Sequence, residues 1–177
     1  MKVLLDRGAS IDATNDEGWT ALHKASIATS DNIQVIKGLL DRGARIDATN
    51  DKGRTALHEA CAPRWYWDTG RDNTEAVKVL LERGTFTSTS IRIIDVADNS
   101  KLGDTALHYA ARCTHPDADI IQLLLDNGAN TNRKNADGET ALDLARREGW
   151  ERGVTLLTST ARIGKIADSA YGTTRWQ

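Results

Sequence analysis

Apolar positions along the chain fall into two alternating helical registers. In the first, Ala21, Leu22 and Ala25 share one face of a short helix predicted to start at Thr20, a residue suited to an N-cap. In the second, Val35, Ile36, Leu39 and Leu40 recur at helical spacing. That run closes at Gly43, where a left-handed C-terminal residue is needed. Polar stretches rich in Asn, Asp and Gly separate these pairs: IDATNDEG (Ile11–Gly18) and IDATNDKG (Ile46–Gly53). Their composition favours a tight extended turn over more helix. Each unit therefore reads as helix, turn, helix, extended turn.

The unit repeats. GWTALHKAS (Gly18–Ser26) returns as GRTALHEAC (Gly53–Cys61), GDTALHYAA (Gly103–Ala111) and GETALDLAR (Gly138–Arg146). A second marker follows as QVIKGLLDRGA (Gln34–Ala44), EAVKVLLERGT (Glu75–Thr85) and DIIQLLLDNGA (Asp119–Ala129), and an orphan copy, KVLLDRGA, starts at Lys2. Thr20, Thr55, Thr105 and Thr140 are spaced by 35, 50 and 35 residues. The middle unit is longer through two insertions, six residues between its helices and nine in its extended turn. One helix pair cannot bury its apolar face alone, so such units stack and each covers the next.

These motifs resemble ankyrin repeats, whose period is about 33 residues with a T-P-L-H-x-A signature. Ala stands in the usual place of Pro at positions 21, 56, 106 and 141. The resemblance covers roughly residues 1–157 and implies an all-α repeat solenoid of stacked helix-turn-helix units with β-hairpin fingers. The expected division is a partial N-terminal repeat (1–15, second helix and finger), repeats at 16–50, 51–100 and 101–135, a capping repeat (136–157) and a tail (158–177). The middle repeat carries insertions at about 62–73 and 85–97. The resemblance also implies that hydroxyl and imidazole pair in Thr20/His23, Thr55/His58 and Thr105/His108, with each ring tied to the adjoining turn. Asp143 replaces the histidine near the last repeat, where no following unit needs that tie.

Composition narrows the function classes. With 23 basic and 25 acidic residues the formal net charge is −2, without the basic footprint of a nucleic-acid binder. No apolar run approaches the roughly 18 residues of a membrane span, and Val3–Leu5 is too short for a signal-peptide core. Cys61 and Cys113 form neither a disulfide framework nor a zinc pattern. The chain is read as intracellular, cytoplasmic or nuclear, with no cofactor and no metal.

The insertions give this chain its individuality. Trp65, Tyr66 and Trp67 follow Pro63 in the first and read either as a plug on the helices or as an anchor for a partner. The second, with Phe86, Ile91, Ile93 and Val96, reads as a lengthened β-hairpin finger or a tolerated surface loop. The family's binding surface, carried over by motif, comprises Glu17, Trp19, Lys52, Arg54, Leu102, Asp104, Asp137 and Glu139 on the finger tips, with Lys24, Glu59 and Tyr109 on the first helices. Trp19 beside Lys52 and Arg54 is the expected hot-spot seed.

The leading expectation is a non-catalytic protein–protein interaction module, an adaptor or scaffold. It binds an unidentified protein or peptide on the concave face, as a monomer, with no nucleic acid and no membrane. One alternative is an enzyme acting on an apolar small molecule in a trough lined by Trp65, Tyr66, Trp67, Glu59 and Tyr109. Another is a scaffold that associates end to end through the incomplete N-terminal repeat. Cys61 and His58 lie three apart on one predicted helix, but no third group is placed to orient the histidine.

Overall fold

The computed structural model describes residues 8–27, 32–62, 73–84, 93–112 and 118–159. Seven helices follow in order: α1 (Ala21–Ser26), α2 (Ile33–Leu40), α3 (Ala56–Cys61), α4 (Thr74–Gly84), α5 (Ala106–Ala111), α6 (Ala118–Asp126) and α7 (Ala141–Arg147). An eighth, α8, spans 151–159, and a 3-10 turn, Ile93–Asp95, lies between α4 and α5. Residues 2–7 of the orphan copy, the tail beyond residue 159, Cys113 and His115 lie outside the described residues.

Helices α1, α3, α5 and α7 pack side by side in one row, α2, α4 and α6 in a second, and α1, α3 and α5 each pack on the second helix of their own unit. The result is the expected two-layered all-α solenoid. The first helices are six or seven residues long, too short to persist alone in water. Packing holds them. Leu22, Leu57, Leu107 and Leu144 are fully buried from successive first helices, opposite Ile36, Leu39, Leu80, Ile121 and Leu124 from the second row. Each fully buried aliphatic side chain contributes about 1.5–3 kcal/mol of transfer free energy. Ala25, Ala60 and Ala110 sit buried one turn on, and Ala145, next to Leu144, is buried at the matching place of its unit, where small residues let neighbouring first helices approach closely.

The extended turns differ from expectation. No β-strand occurs among the described residues. Each finger is closed by one backbone bond across its mouth: Asn15 N–H to Trp19 O, Asn50 N–H to Arg54 O, Asp98 N–H to Asp104 O and Asn135 N–H to Glu139 O. The tip inside that bond is held by a side chain. The Asn50 Oδ1 accepts from the backbone N–H groups of Lys52 (3.0 Å) and Arg54 (3.1 Å), and Asn15 and Asn135 do the same in their fingers. A side chain that satisfies two donors replaces the strand ladder that a hairpin would need.

The second insertion is likewise not a lengthened hairpin where it is described. Residues 85–92 lie outside the described residues, but Ile93 and Ile94 are buried in the core, and Ile93 lies so close to Gly84 that a Cβ there would collide with it. Register gives the reason. Ile94-Asp95-Val96-Ala97-Asp98 occupies the place of Ile46-Asp47-Ala48-Thr49-Asn50. Fourteen residues separate Gly84 from Asp98, against seven from Gly43 to Asn50. Seven separate Asp98 from Thr105, against five from Asn50 to Thr55. Seven of the nine extra residues therefore precede the finger and two enlarge its tip.

Candidate functional site: the finger row and first-helix floor

The TALH motif fixes the second, third and fourth fingers to the unit before each. In α1 the Thr20 hydroxyl accepts from the His23 N–H (3.4 Å), while His23 Nδ1 accepts from the Thr20 N–H (3.2 Å) and lies 2.8 Å from its hydroxyl. An Nδ1 that accepts from a backbone amide carries no proton, so the ring is the neutral Nε2–H tautomer. Nε2 then donates to Arg54 O (2.9 Å), in the next finger. His108 repeats this toward Glu139 O (3.2 Å). His58 instead donates to Val96 O (2.9 Å), because the two extra tip residues shift which carbonyl of the finger base lies nearest. Burial lowers the pKa of all three rings, that of His58 to about 4. Asp143 keeps the cap, accepting from the Thr140 N–H (2.9 Å) and hydroxyl (2.7 Å). Lacking an N–H, it cannot donate to a further finger.

Adjacent fingers are bonded to one another. Asp51 N–H donates to Glu17 O (3.2 Å), Asn99 N–H to Lys52 O (2.9 Å) and Ala136 N–H to Leu102 O (2.7 Å). The acceptors are the tip residues preceding Gly18, Gly53 and Gly103. Gly53 has φ +70, and a Cβ on it would strike the backbone and side chain of Asn99, so only glycine allows that approach. Glu17, Lys52 and Asp137 are exposed, and Leu102, Trp19, Arg54 and Glu139 half-buried. Trp19 packs edgewise on His23 (centroids 6.0 Å) and carries Lys24 Nζ 4.0 Å from its ring centroid. Lys24 is exposed.

Three of the expected surface positions are buried. Glu59 is 5% exposed, Tyr109 5% and Asp104 0%. Each is drawn inward by partners from a neighbouring finger or helix. The Glu59 Oε1 accepts from Asn50 Nδ2 (3.1 Å) and lies 3.8 Å from Arg54. Tyr109 donates to Asp98 Oδ2 (2.5 Å) beneath the Arg54 guanidinium, which stacks 4.7 Å from the ring centroid. Asp104 pairs with Arg112 (2.6 Å) and accepts from Asn135 Nδ2 (3.0 Å). These residues brace the floor. Trp65, Tyr66 and Trp67 lie outside the described residues.

Asp98 and Arg112 were not singled out by the sequence reading. Asp98 takes the place of Asn50 as the finger anchor and adds a charge, paired with Arg54 (3.5 Å). Burial pushes its carboxyl up, but bonds from Tyr109, Ser100 and the Asp104 amide outweigh this and hold it below the ordinary value. Tyr109 is raised, by burial first and then by Asp98. The signal for Arg112 was spacing: it stands eight residues after Asp104, as Arg147 does after its partner Glu139 (2.8 Å).

Little here resembles a reacting centre. Both nitrogens of His58 are engaged, leaving no lone pair to activate the buried Cys61. Among the described residues no group of three or more His, Cys, Asp or Glu could hold a metal, and no helix is long and apolar enough to cross a membrane.

The sequence was compared with known proteins. A family model described as ankyrin repeats (3 copies) matches residues 1–90 and 69–166. Human ankyrin repeat and SOCS box protein 11 is 42% identical over 71 residues, 40% of this chain and 18% of that protein. Human NAD-capped RNA hydrolase NUDT12 is 43% identical over 68 residues, 38% of this chain and 14% of that protein. Protein glp-1 of Caenorhabditis elegans is 31% identical over 103 residues, 58% of this chain and 8% of that protein. The chain matches less than a fifth of the length of each of these relatives.

Proposed function

The chain belongs to the ankyrin repeat family, whose repeats generally mediate protein–protein interaction, and from that premise we propose that it is a non-catalytic adaptor gripping a protein or peptide on its concave face. The observation that carries this reading is the finger row. Backbone bonds and Asx turns spend the polar main chain on rigidity, while Lys24 and Lys52 stand exposed beside the half-buried Trp19 and Leu102. A preorganised row loses little conformational entropy on binding. An aromatic residue flanked by charges suits a hot spot with a steering rim. Arg54 contributes differently from its neighbours: paired to Asp98 and Glu59 and stacked on Tyr109, it stiffens the floor.

Affinity capture with the wild type and a Trp19→Ala/Lys52→Glu variant tests the reading. Both changes lie at the tips, outside the buried ion pairs, so the fold should survive, which circular dichroism checks. The variant is expected to lose the prey that the wild type retains. An identical set of prey would refute the concave-face reading.

A further inference from the structure

The charges of the finger row divide into those already paired inside the molecule and those left over. Arg54 pairs with Asp98 and Glu59, Arg112 with Asp104, and Arg147 with Glu139. Left exposed on the tips, with no ion pair among the described residues, are Asp16 and Glu17 on the first finger, Lys52 on the second, Lys101 on the third and Asp137 on the fourth. Asp51 belongs with the acidic end, because its carboxylate lies in the seam against Gly18. Lys101 exists only because the third finger is two residues longer than its neighbours. It is set in a tip tied by Ser100, whose hydroxyl donates to Asp98 (2.7 Å) and accepts from the Leu102 N–H (3.2 Å).

Resting on the concave-face reading above, we propose that the finger row selects its partner by charge order, seating an acidic segment across Lys52 and Lys101 with basic residues at either end against Asp16, Glu17 and Asp137. The backbone bonds between fingers make each tip the nearest neighbour of the next, so the order acid, base, base, acid is held in space. Net charge cannot supply this selectivity, since the whole chain stands at −2. A partner of the opposite order meets like charges at every finger, which is rejection rather than mere absence of attraction. Exposed pairs are individually weak, so the selectivity comes from several acting in one register.

Two synthetic peptides of identical composition and zero net charge test this on the full chain by fluorescence anisotropy. One has a glutamate block flanked by lysine pairs, and the other a lysine block flanked by glutamate pairs. The acid-centred peptide is expected to bind about tenfold or more tightly, from several exposed pairs acting together. The gap should narrow as ionic strength rises from about 0.01 M to about 0.15 M. Lys52→Glu/Lys101→Glu, which leaves an acidic row throughout, should abolish the preference. Equal binding, no binding of either peptide, or a preference that survives the double reversal would overturn the proposal. Equal binding that Trp19→Ala abolishes would overturn charge order while leaving the concave-face reading standing.

Discussion

Acidification from about pH 7.5 to about pH 5 is expected to weaken the stack, with His58 as the largest source. The His58 ring is 0% exposed. Its Nδ1 faces two donors, the Thr55 N–H (3.1 Å) and hydroxyl (2.8 Å), and its Nε2–H donates to Val96 O. A second proton would charge a buried ring and set a donor against the Thr55 amide, breaking the cap. Burial accordingly lowers the folded-state pKa from 6.5 to about 4, while the unfolded chain keeps the ordinary value. Between those two values the unfolded state binds more protons. The stabilisation is therefore complete above about pH 6.5 and lost progressively as pH falls toward 4. At pH 5 the linkage amounts to about 2 kcal/mol for this ring. His23 and His108, lowered for the same reason, act in the same direction. Asp98 and Asp143, held below the ordinary carboxylate value, add their loss only at lower pH. Urea unfolding followed by circular dichroism reads the effect. With a slope near 2 kcal/mol per molar, the midpoint should fall by about 1 M or more. A midpoint unchanged or higher at pH 5, or an NMR titration of His58 at or above 6.5, would show the tautomer and the tie to be wrongly assigned.

Three further substitutions probe the floor and the fingers. Tyr109→Phe removes the donor to a buried carboxylate and should cost about 1.5–3 kcal/mol in chemical unfolding; a change under about 0.5 kcal/mol would mean the floor network is not holding the repeats. Gly53→Ala combines a left-handed φ with a collision against Asn99 and should cost about 2 kcal/mol or more, whereas Gly138→Ala, at φ +77 with nothing within 4 Å, should cost only about 1 kcal/mol. Equal losses at the two glycines would deny that close approach between fingers matters.

Much of the architecture was legible because it is local. The helical registers, the threonine caps, the closing turn at Gly43 and the pairing of Thr with His span four residues or fewer, and their recurrence specified the stack. Of the segment read as a lengthened hairpin or a surface loop, 85–97, residues 93–97 are described and are not a hairpin. Thr, Ile and Val there suggested a hairpin, but Ile94 to Asp98 is the ordinary base of a finger, and Ile93 and Ile94 are core residues. Aligning Ile94 with Ile46 would have revealed this. The same alignment would have brought Asp98 into view as a charged substitute for Asn50.

The sequence by itself determined that units repeat, where each helix begins, and that Thr and His can pair within each of the first three units. These follow from bonds between residues a turn apart. Only the tertiary structure decided which repeat positions face outward. The place after the signature histidine is exposed as Lys24 yet buried as Glu59 and Tyr109. The residue before the threonine is half-buried as Trp19 and wholly buried as Asp104. A side chain's exposure depends on what the adjoining unit puts over it, some thirty to fifty residues away. In this chain an enlarged finger, with Asp98 drawing in Arg54 and Tyr109, changed that covering at the middle of the stack.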